Sequence, residues 1–588
     1  MSSTNVDRYP GYKKWFLKHS VRYKALTFVY VSSLLIFAAA ISYIPVVIGE
    51  IIDKVISSQA RSQISSSLLL LLILTLGSFL VFVCFNTLAS VWAFKNEKNI
   101  RNELFDSIQS KSVEFHNTTS TGQMMSLTTN DVNAISGFYI QTTNLITNSS
   151  TMIFVFLLLV FKLDLILAVF LIPFIPVFFI TFRNFRNKSA TIADELMIKF
   201  TNMATTLQDS ISGAEVVRAY VAEEMDRAKF RKSIHEFRDN WIGQNKIQAQ
   251  YFPMLVVSLA IGVNLMIGSY LVFQNFISIG VLITVNLLLL RIRVSMGNFF
   301  WDIFSLERAL AAASRIAKVI DQEDEERKEE NLPFPDKIFG EIEFRNVTFS
   351  HSNGSEKLIL SNINFTIEPN QKVALVGPTG CGKTTIAKLL LRFYEPQEGE
   401  ILIDGVNIKE YNLEDLRQNI GYIEQDIYLF PWSISDNIKF GKPDASDEKI
   451  LDAAELAQVN EFVQDLKDKY ETIAGDRGVR LSGGQRQRIA IARAILTNPR
   501  VLIMDDASSA IDSETEEKIV RAMNSVLENR STLIITHRLH AIRDSDKVLV
   551  LKNGVIKAEG SHDELMSSSE DYRRIFGKRI PLPELIIK

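Results

Sequence analysis

The sequence predicts a multi-domain chain. An all-α polytopic membrane domain, with six transmembrane helices extended into the cytoplasm, precedes an α/β domain. Three observations carry this reading. Six apolar runs of spanning length crowd the first 304 residues. A nearly all-charged stretch, 321–331, followed by Pro333 and Pro335, then breaks the composition. From Glu341 onward, short β-branched runs alternate with helical stretches. At 588 residues the chain exceeds what one core holds. The predicted divisions are residues 1–320 for the membrane domain, 321–340 for a solvated linker and 341–588 for the α/β domain.

The first apolar run follows Arg8, Lys13, Lys14, Lys18, Arg22 and Lys24. It is too long for a signal peptide and lacks a small-residue cleavage site, so it reads as a retained helix behind a basic interfacial helix. The six spans are Ala25–Gly49, Ser67–Trp92, Gly137–Phe161, Leu163–Phe182, Tyr251–Phe273 and Ile277–Phe304. Only Phe161–Leu163 separates the third from the fourth, which predicts a tight hairpin there. The outer loops hold Lys54, Arg61 and Lys162, whereas the connection from Arg183 to Lys246 alone carries eleven basic residues. Positive charge gathers on the cytoplasmic side, so both termini and both long connections, 93–136 and 183–246, are expected there. The connections lack proline and are expected to continue the membrane helices well past the bilayer, with short turns at their tips. The expected location is an integral, multi-pass position in the plasma membrane.

Bulk composition excludes some functions. A formal net charge of −3 gives no footprint for nucleic acid. Two cysteines, Cys84 in an apolar run and Cys381 in a glycine loop, cannot build a disulfide framework.

Gly377-Pro378-Thr379-Gly380-Cys381-Gly382-Lys383-Thr384, followed by Thr385, fits the phosphate-loop pattern. It lies between the strand-like run 373–376 and a helical stretch, the context that the pattern requires. Glycines let backbone N–H groups curl around a phosphate. Lys383 supplies positive charge, and Thr384 a hydroxyl for Mg²⁺. The run 501–504 ends in Asp505, placed to hold the same ion. A second Gly-rich helix start, Leu481-Ser482-Gly483-Gly484-Gln485, makes another phosphate nest. Two such elements in one domain suggest that each serves a different nucleotide.

These residues closely resemble the ATP-binding-cassette (ABC) family, and the whole chain resembles its exporter half-transporters. The resemblance implies ATP and Mg²⁺ as cofactors, and a second half-transporter as partner. In that family two cassettes meet head to tail, so Ser482–Gln485 would complete the partner's nucleotide site. Gln425 resembles the hinge glutamine that contacts Mg²⁺ and senses the membrane domain. His537 resembles the switch histidine at the γ-phosphate. Asp512, in Ser509-Ala-Ile-Asp512, resembles the loop that crosses between cassettes, and 475–478 the loop that touches the membrane domain. Thr121-Gly122, Asn130-Asp131 and the stretch from Gly213 to Tyr220 resemble the intracellular loops.

Two positions depart from the family pattern. The residue after the Mg²⁺ carboxylate is usually Glu, which polarises the attacking water; here it is Asp506. One methylene less leaves the carboxylate ~1–1.5 Å short, a displacement able to cost about 100-fold in rate. A poor base beside an intact Ser482–Gln485, the family's signature, suggests one member of an asymmetric heterodimer. A homodimer in which Asp506 works as base is the other reading. The adenine-stacking position, usually Tyr, falls on His351, with Phe349 as fallback.

In the third span, Gln141, Asn144, Asn148 and Thr151 share one helical face, and in the sixth Asn286 and Arg293 do, with Arg291 pointing elsewhere. They are candidates for a substrate path in which Arg293 meets an anionic group. Interhelical hydrogen bonds, and snorkelling of Arg293 or its pairing with Asp302, are the structural alternatives. The expected function is ATP-driven export of small amphipathic solutes, drugs or lipids through the bilayer. A regulatory or channel-type subunit on the same fold is the rival.

Overall fold

A computed structural model describes residues 9–58, 61–162, 174–249, 252–325, 332–335, 338–350, 358–475, 478–505, 527 and 529–576. It resolves two compact units: residues 1–110 with 120–322, and residues 111–119 with 323–588.

The first unit is helical throughout its described residues. A short helix, α1 (Tyr12–Ser20), precedes α2 (Lys24–Ile56) and the 50-residue α3 (Arg61–Ser110). At 1.5 Å per residue α3 is about 75 Å long, more than twice a bilayer's hydrocarbon core. The chain continues through α5 (Thr121–Ser126), a π-helical turn at Leu127–Asp131, and α6 (Val132–Lys162). Then come α7 (Phe174–Ser212), α8 (Ala214–Ala219), α9 (Glu223–Ala249), α10 (Phe252–Phe273) and α11 (Ile279–Ile320). Five helical stretches among the described residues are long and apolar enough to span a membrane. The expected fourth span begins at Leu163; it and its hairpin lie partly outside the described residues.

Helix α3 shows why these elements need lipid. Leu68, Leu69, Leu72, Ile73, Leu76, Phe79 and Leu80 all face outward. So much contiguous exposed apolar surface, on a helix long enough to span a bilayer, suits hydrocarbon rather than water. The inner faces interlock instead. Tyr30 stacks on Trp92 at 5.4 Å, Trp92 meets Tyr139 at 4.8 Å, and Phe37 packs edge-on to Phe85. At one end Gly49 and Gly280 let α2 and α11 touch; a Cβ on Gly280 would lie 2.2 Å from the Gly49 carbonyl oxygen. Asp53 there accepts from Ser278 Oγ at 2.5 Å and from Gly280 N at 2.8 Å, capping the start of α11.

The second unit carries two sheets. Strands β1 (Ile342–Phe349), β2 (Leu360–Ile367), β4 (Glu398–Ile403) and β5 (Val406–Asn407) form an antiparallel sheet of order β2-β1-β4-β5. The other has six strands in the order β10-β9-β3-β8-β7-β6, with β9, β3, β8, β7 and β6 parallel. Its members are β3 (Lys372–Val376), β6 (Ile420–Ile423), β7 (Val501–Asp505), β8 (Ser531–Ile535), β9 (Lys547–Lys552) and β10 (Val555–Gly560). The central strands are buried on both faces, as their unbroken apolar runs require. The antiparallel sheet was not foreseen. Its strands mix polar and apolar residues, and the pairing that ties the sheet together, β1 with β4, joins Ile342 to Ile403, far apart in sequence and without a local signature.

The charged stretch after α11 and the tip of the first long connection both contribute to this second unit. Helix α4 (Val113–Thr118) is capped by Ser112, and Asn117 donates to Tyr394 Oη at 2.7 Å. The buried Lys111 ammonium reaches Asp324 at 2.7 Å, and Arg417 pairs with Glu325 at 2.7 Å while covering the Phe393 ring.

Candidate functional site

Strand β3 ends at Val376, and the chain turns through 377–382 into helix α12 (Lys383–Leu390). Gly377 must lack a side chain, because a Cβ would sit 2.1 Å from the Leu551 carbonyl oxygen on β9. Gly382 holds φ at +109°, a left-handed conformation that glycine adopts without strain, and no side chain caps the helix behind it. The first N–H groups of α12 are therefore left to an external acceptor, and the helix dipole makes that acceptor an anion. Lys383 Nζ donates to the carbonyl oxygens of Gly377 and Pro378 at 2.9 and 3.1 Å, bridging the loop. Burial pushes the Cys381 thiol above its usual range, against the pull of the Lys383 ammonium. The loop suits a phosphate chain.

The strand order places the other candidates beside it. Leu375 and Asp505 both pair with Ile535, so β3, β8 and β7 end level. His537 lies two residues beyond β8, Asp505 is the buried last residue of β7, and Gln425 lies two residues beyond β6. Phosphate loop, His537, Asp505 and Gln425 thus succeed one another along one edge, spaced by the strands at about 4.8 Å each. Ligands bind at this carboxyl edge of parallel sheets. The hydroxyl of Thr384, the carboxylate of Asp505 and the amide oxygen of Gln425 are hard oxygen donors of the kind Mg²⁺ takes.

The second glycine-rich element opens helix α13 (Gly483–Ile495). Here a capping box closes the start: Ser482 Oγ accepts from Gln485 N at 3.3 Å, and Gln485 Oε1 accepts from Ser482 N at 2.9 Å. The serine hydroxyl accepts in this box, so its proton is left to donate outward. Arg486 fastens the preceding loop by donating to Leu481 O at 2.8 Å. Helices α12 and α13 cover opposite faces of the six-stranded sheet. Ile386, Leu389 and Leu390 of α12 join Val373, Leu375, Val501, Ile503, Leu533 and Ile535 in one core. Ile489, Ile491 and Ile495 of α13 join Leu502, Met504 and Ile534 in another. The two nests therefore begin helices that lie on opposite faces of one sheet.

Sequence reasoning missed the anchor between these elements. Arg493 of α13 donates to Tyr428 O at 3.0 Å, to Asn437 O at 2.9 Å and to Asn437 Oδ1 at 3.0 Å. The buried Asn437 in turn bonds the backbone of Phe430 at 2.9 and 3.0 Å. The segment that follows Gln425 is thereby strapped to the helix that carries Ser482. An arginine in the last turn of a helix, and an asparagine 56 residues away, share no motif that would have exposed them.

His351, Asp506 and Asp512 lie outside the described residues. In the helical unit Asn148 donates to Asp302 Oδ2 at 3.2 Å, so the stripe on α6 meets α11 through the buried Asp302. The pairing of Arg293 with Asp302 is not what forms. Nine residues apart on one helix, the two stand about 13 Å apart along the axis, and Asp302 takes Asn148 instead. Arg293 Nε is buried without a hydrogen-bond partner among the described residues. Asn286 donates back to Leu282 O at 2.9 Å, while Gln141 is half-buried and Asn144 exposed. A bidentate pair that sequence alone did not suggest joins Arg315 to Asp131, at 2.6 and 2.8 Å, and holds the Arg315 guanidinium above its usual range.

Residues 27–296 match the family model of the ABC transporter transmembrane region, and residues 360–509 that of the ABC transporter. The chain is 31% identical to the putative multidrug export ATP-binding/permease protein YgaD of Bacillus subtilis (strain 168), over 96% of this chain and 99% of that one. It is 32% identical to the ATP-dependent lipid A-core flippase of Syntrophus aciditrophicus (strain SB), covering 81% of this chain and 79% of that protein. Among solved structures, a bacterial Atm1-family ABC exporter with ATP bound superposes with a TM-score of 0.81 at 25% identity, over 95% of this chain and 98% of the other.

Proposed function

The chain belongs to the ABC transporter family, as a multi-pass membrane protein whose ATPase drives export; from that premise we propose that it is one half of a dimer exporting amphipathic solutes, drugs or lipids, with its own nucleotide site the slower of an unequal pair. The observation that carries the paired architecture is the placement of α12 and α13 on opposite faces of one sheet. A domain whose two phosphate nests begin helices on opposite faces of one sheet uses both when a second cassette faces it.

In this reading Thr379, Gly380, Gly382 and Thr385 line the β- and γ-phosphates with the uncapped N–H groups of α12. Lys383 lends its charge, and His351 stacks on adenine. Thr384, Asp505 and Gln425 hold Mg²⁺, which neutralises charge on the phosphate oxygens. His537 faces the γ-phosphate, Asp506 orients the water, Asp512 crosses to the partner, and Ser482–Gln485 close the partner's site. The asymmetry rests on Asp506, one methylene shorter than the usual Glu, beside an intact signature. A heterodimer fits it better than a homodimer. Lys and Arg in the long connections put the termini and cassette in the cytoplasm, with the plasma membrane as the expected location. Arg293, whose Nε has no hydrogen-bond partner among the described residues, with Asn286 on the same helical face, offers the transport path a cation for an anionic substrate group.

The test is affinity purification of the tagged chain from its native membranes, followed by ATPase and uptake assays in inside-out vesicles. A second, different half-transporter with Glu at the base position should co-purify, and amphipathic solutes should stimulate ATPase and accumulate inside. Recovery of this chain alone with full activity would overturn the heterodimer. ATPase without vectorial uptake of any amphipath would favour a regulatory subunit.

A further inference from the structure

The outer face of α1, expected from sequence to be interfacial, carries a chemistry that neither the nucleotide site nor the transport path uses. Its inner face is tied to three long helices. Phe16 stacks on Tyr139 of α6 at 5.6 Å, His19 Nε2 meets Glu103 of α3 at 2.7 Å, and Tyr9 N, just before the helix, donates to Ser314 Oγ of α11 at 2.8 Å. Outward it presents Lys13, Lys14, Leu17 and Lys18, and the chain continues with Val21, Arg22, Lys24 and Phe28, all exposed. No Asp or Glu occurs between Arg8 and Gly49. Among the described residues none of these five cations belongs to an ion pair. Lys95 and Lys98, exposed on α3, extend the cluster; Lys95 lies 5.6 Å over the Tyr23 ring.

Like charges so crowded repel one another, and a row of them is stable when an anionic surface faces it. The interleaved Leu17, Val21 and Phe28, exposed by 59%, 47% and 73%, set the row apart from a merely solvated face. Basic and apolar residues alternating on one short helix are the composition of a segment lying in a lipid headgroup layer. Its position agrees. Helix α1 ends four residues before α2 begins the first span, and exposed Phe28 and Val29 continue its apolar side onto the lipid-facing surface of α2. A protein partner would need to cover that lipid-facing surface as well.

We propose that Lys13, Lys14, Lys18, Arg22 and Lys24, with Lys95 and Lys98, dock anionic phospholipid headgroups, and that docking accelerates turnover. The lever is α1 itself. Whatever seats it against the headgroups also sets its grip on α3, α6 and α11 through Glu103, Tyr139 and Ser314. The turnover part rests on the transport function proposed above; the binding part does not.

The experiment uses the purified full-length transporter in nanodiscs of phosphatidylcholine, with or without phosphatidylglycerol. Spin-labelled lipids report the lipid held at the protein surface, and ATPase is read in parallel. The wild type should retain phosphatidylglycerol over phosphatidylcholine, and lose that preference as salt rises. Phosphatidylglycerol should also stimulate its ATPase. The quadruple variant Lys13→Gln, Lys14→Gln, Lys18→Gln, Arg22→Gln should lose at least about tenfold in lipid preference, since each cation near an anionic surface contributes independently. Its basal ATPase in phosphatidylcholine should be unchanged. A control pair on α9, Lys229→Gln with Arg231→Gln, should behave as wild type. Wild-type preference in the quadruple variant would overturn the site. Lost preference with intact stimulation would overturn the regulatory role. An absence of ATPase in every lipid would count against the transport function, while the spin-label result would still decide the site. Binding of an acidic peptide without any lipid preference would assign the face to a protein partner instead.

Discussion

The cassette starts two helices with glycine-rich turns, and it finishes them differently. At α12 the N-cap is Gly382, which offers no side chain, so the helix end stays open to a ligand. At α13 the N-cap is Ser482, locked with Gln485 in a reciprocal box, so the helix is complete within its own chain. An open start holds an anion by itself. A closed start adds only an outward hydroxyl proton and the N–H groups of Gly483 and Gly484, and becomes useful against an anion that something else already holds. The difference separates binding from closure, and each can be broken alone.

The largest effect is expected at the open start. Lys383→Ala removes a charged donor worth about 2–3 kcal/mol to a bound phosphate, on the order of 100-fold in affinity. Binding of a fluorescent ATP analogue to the purified full-length chain should show it. Unchanged affinity would mean that α12 is not the element that holds ATP.

At the closed start the prediction inverts. Ser482→Arg puts bulk and positive charge where the partner's nucleotide would arrive, yet leaves the loop at 377–382 untouched. ATP binding to this chain should keep its wild-type affinity, while steady-state ATPase of the assembled pair falls at least about tenfold, as for other transition-state contacts that are lost. ATPase near the wild-type rate would refute the head-to-tail arrangement. Loss of this chain's own ATP binding would mean that the two starts are not independent.

How much of this was legible in the sequence follows from distance along the chain. The turn at 377–382 between β3 and α12, the strand ending at Asp505 and the helix start at Ser482–Gln485 were readable as local structure, because short contiguous strings dictate their backbone. The apolar runs that became α2, α3, α10 and α11 were readable because burial in lipid demands length and composition alone. The grip of Arg493 on Asn437, the pair of Arg315 with Asp131, and the assignment of Lys111–Thr119 to the cassette unit were not. Each joins residues that lie far apart in sequence, and a polar side chain carries no mark of its partner. The pairing of Arg293 with Asp302, one of the alternatives open in the sequence, does not form; Asp302 takes Asn148, on another helix.

The smallest effect is expected at Asp506, and it bears most directly on whether the two nucleotide sites of the pair are equal. If its carboxylate stands ~1–1.5 Å short of the attacking water, its site turns over about 100-fold more slowly than one with Glu. Nearly all turnover then comes from the partner's site, and Asp506→Asn should cost the assembly only about a few per cent of its ATPase. Replacing the partner's corresponding Glu should abolish most of it. Asp506→Glu restores the missing methylene and should raise basal hydrolysis. It should also loosen coupling, because an ATP that stays bound in the slow site keeps the cassettes joined between cycles. Steady-state ATPase on purified pairs gives the rates, and single-turnover trapping shows which site empties. If Asp506→Asn alone abolishes hydrolysis, the aspartate is a working base. The two sites are then alike, and the homodimer becomes the better reading of the chain.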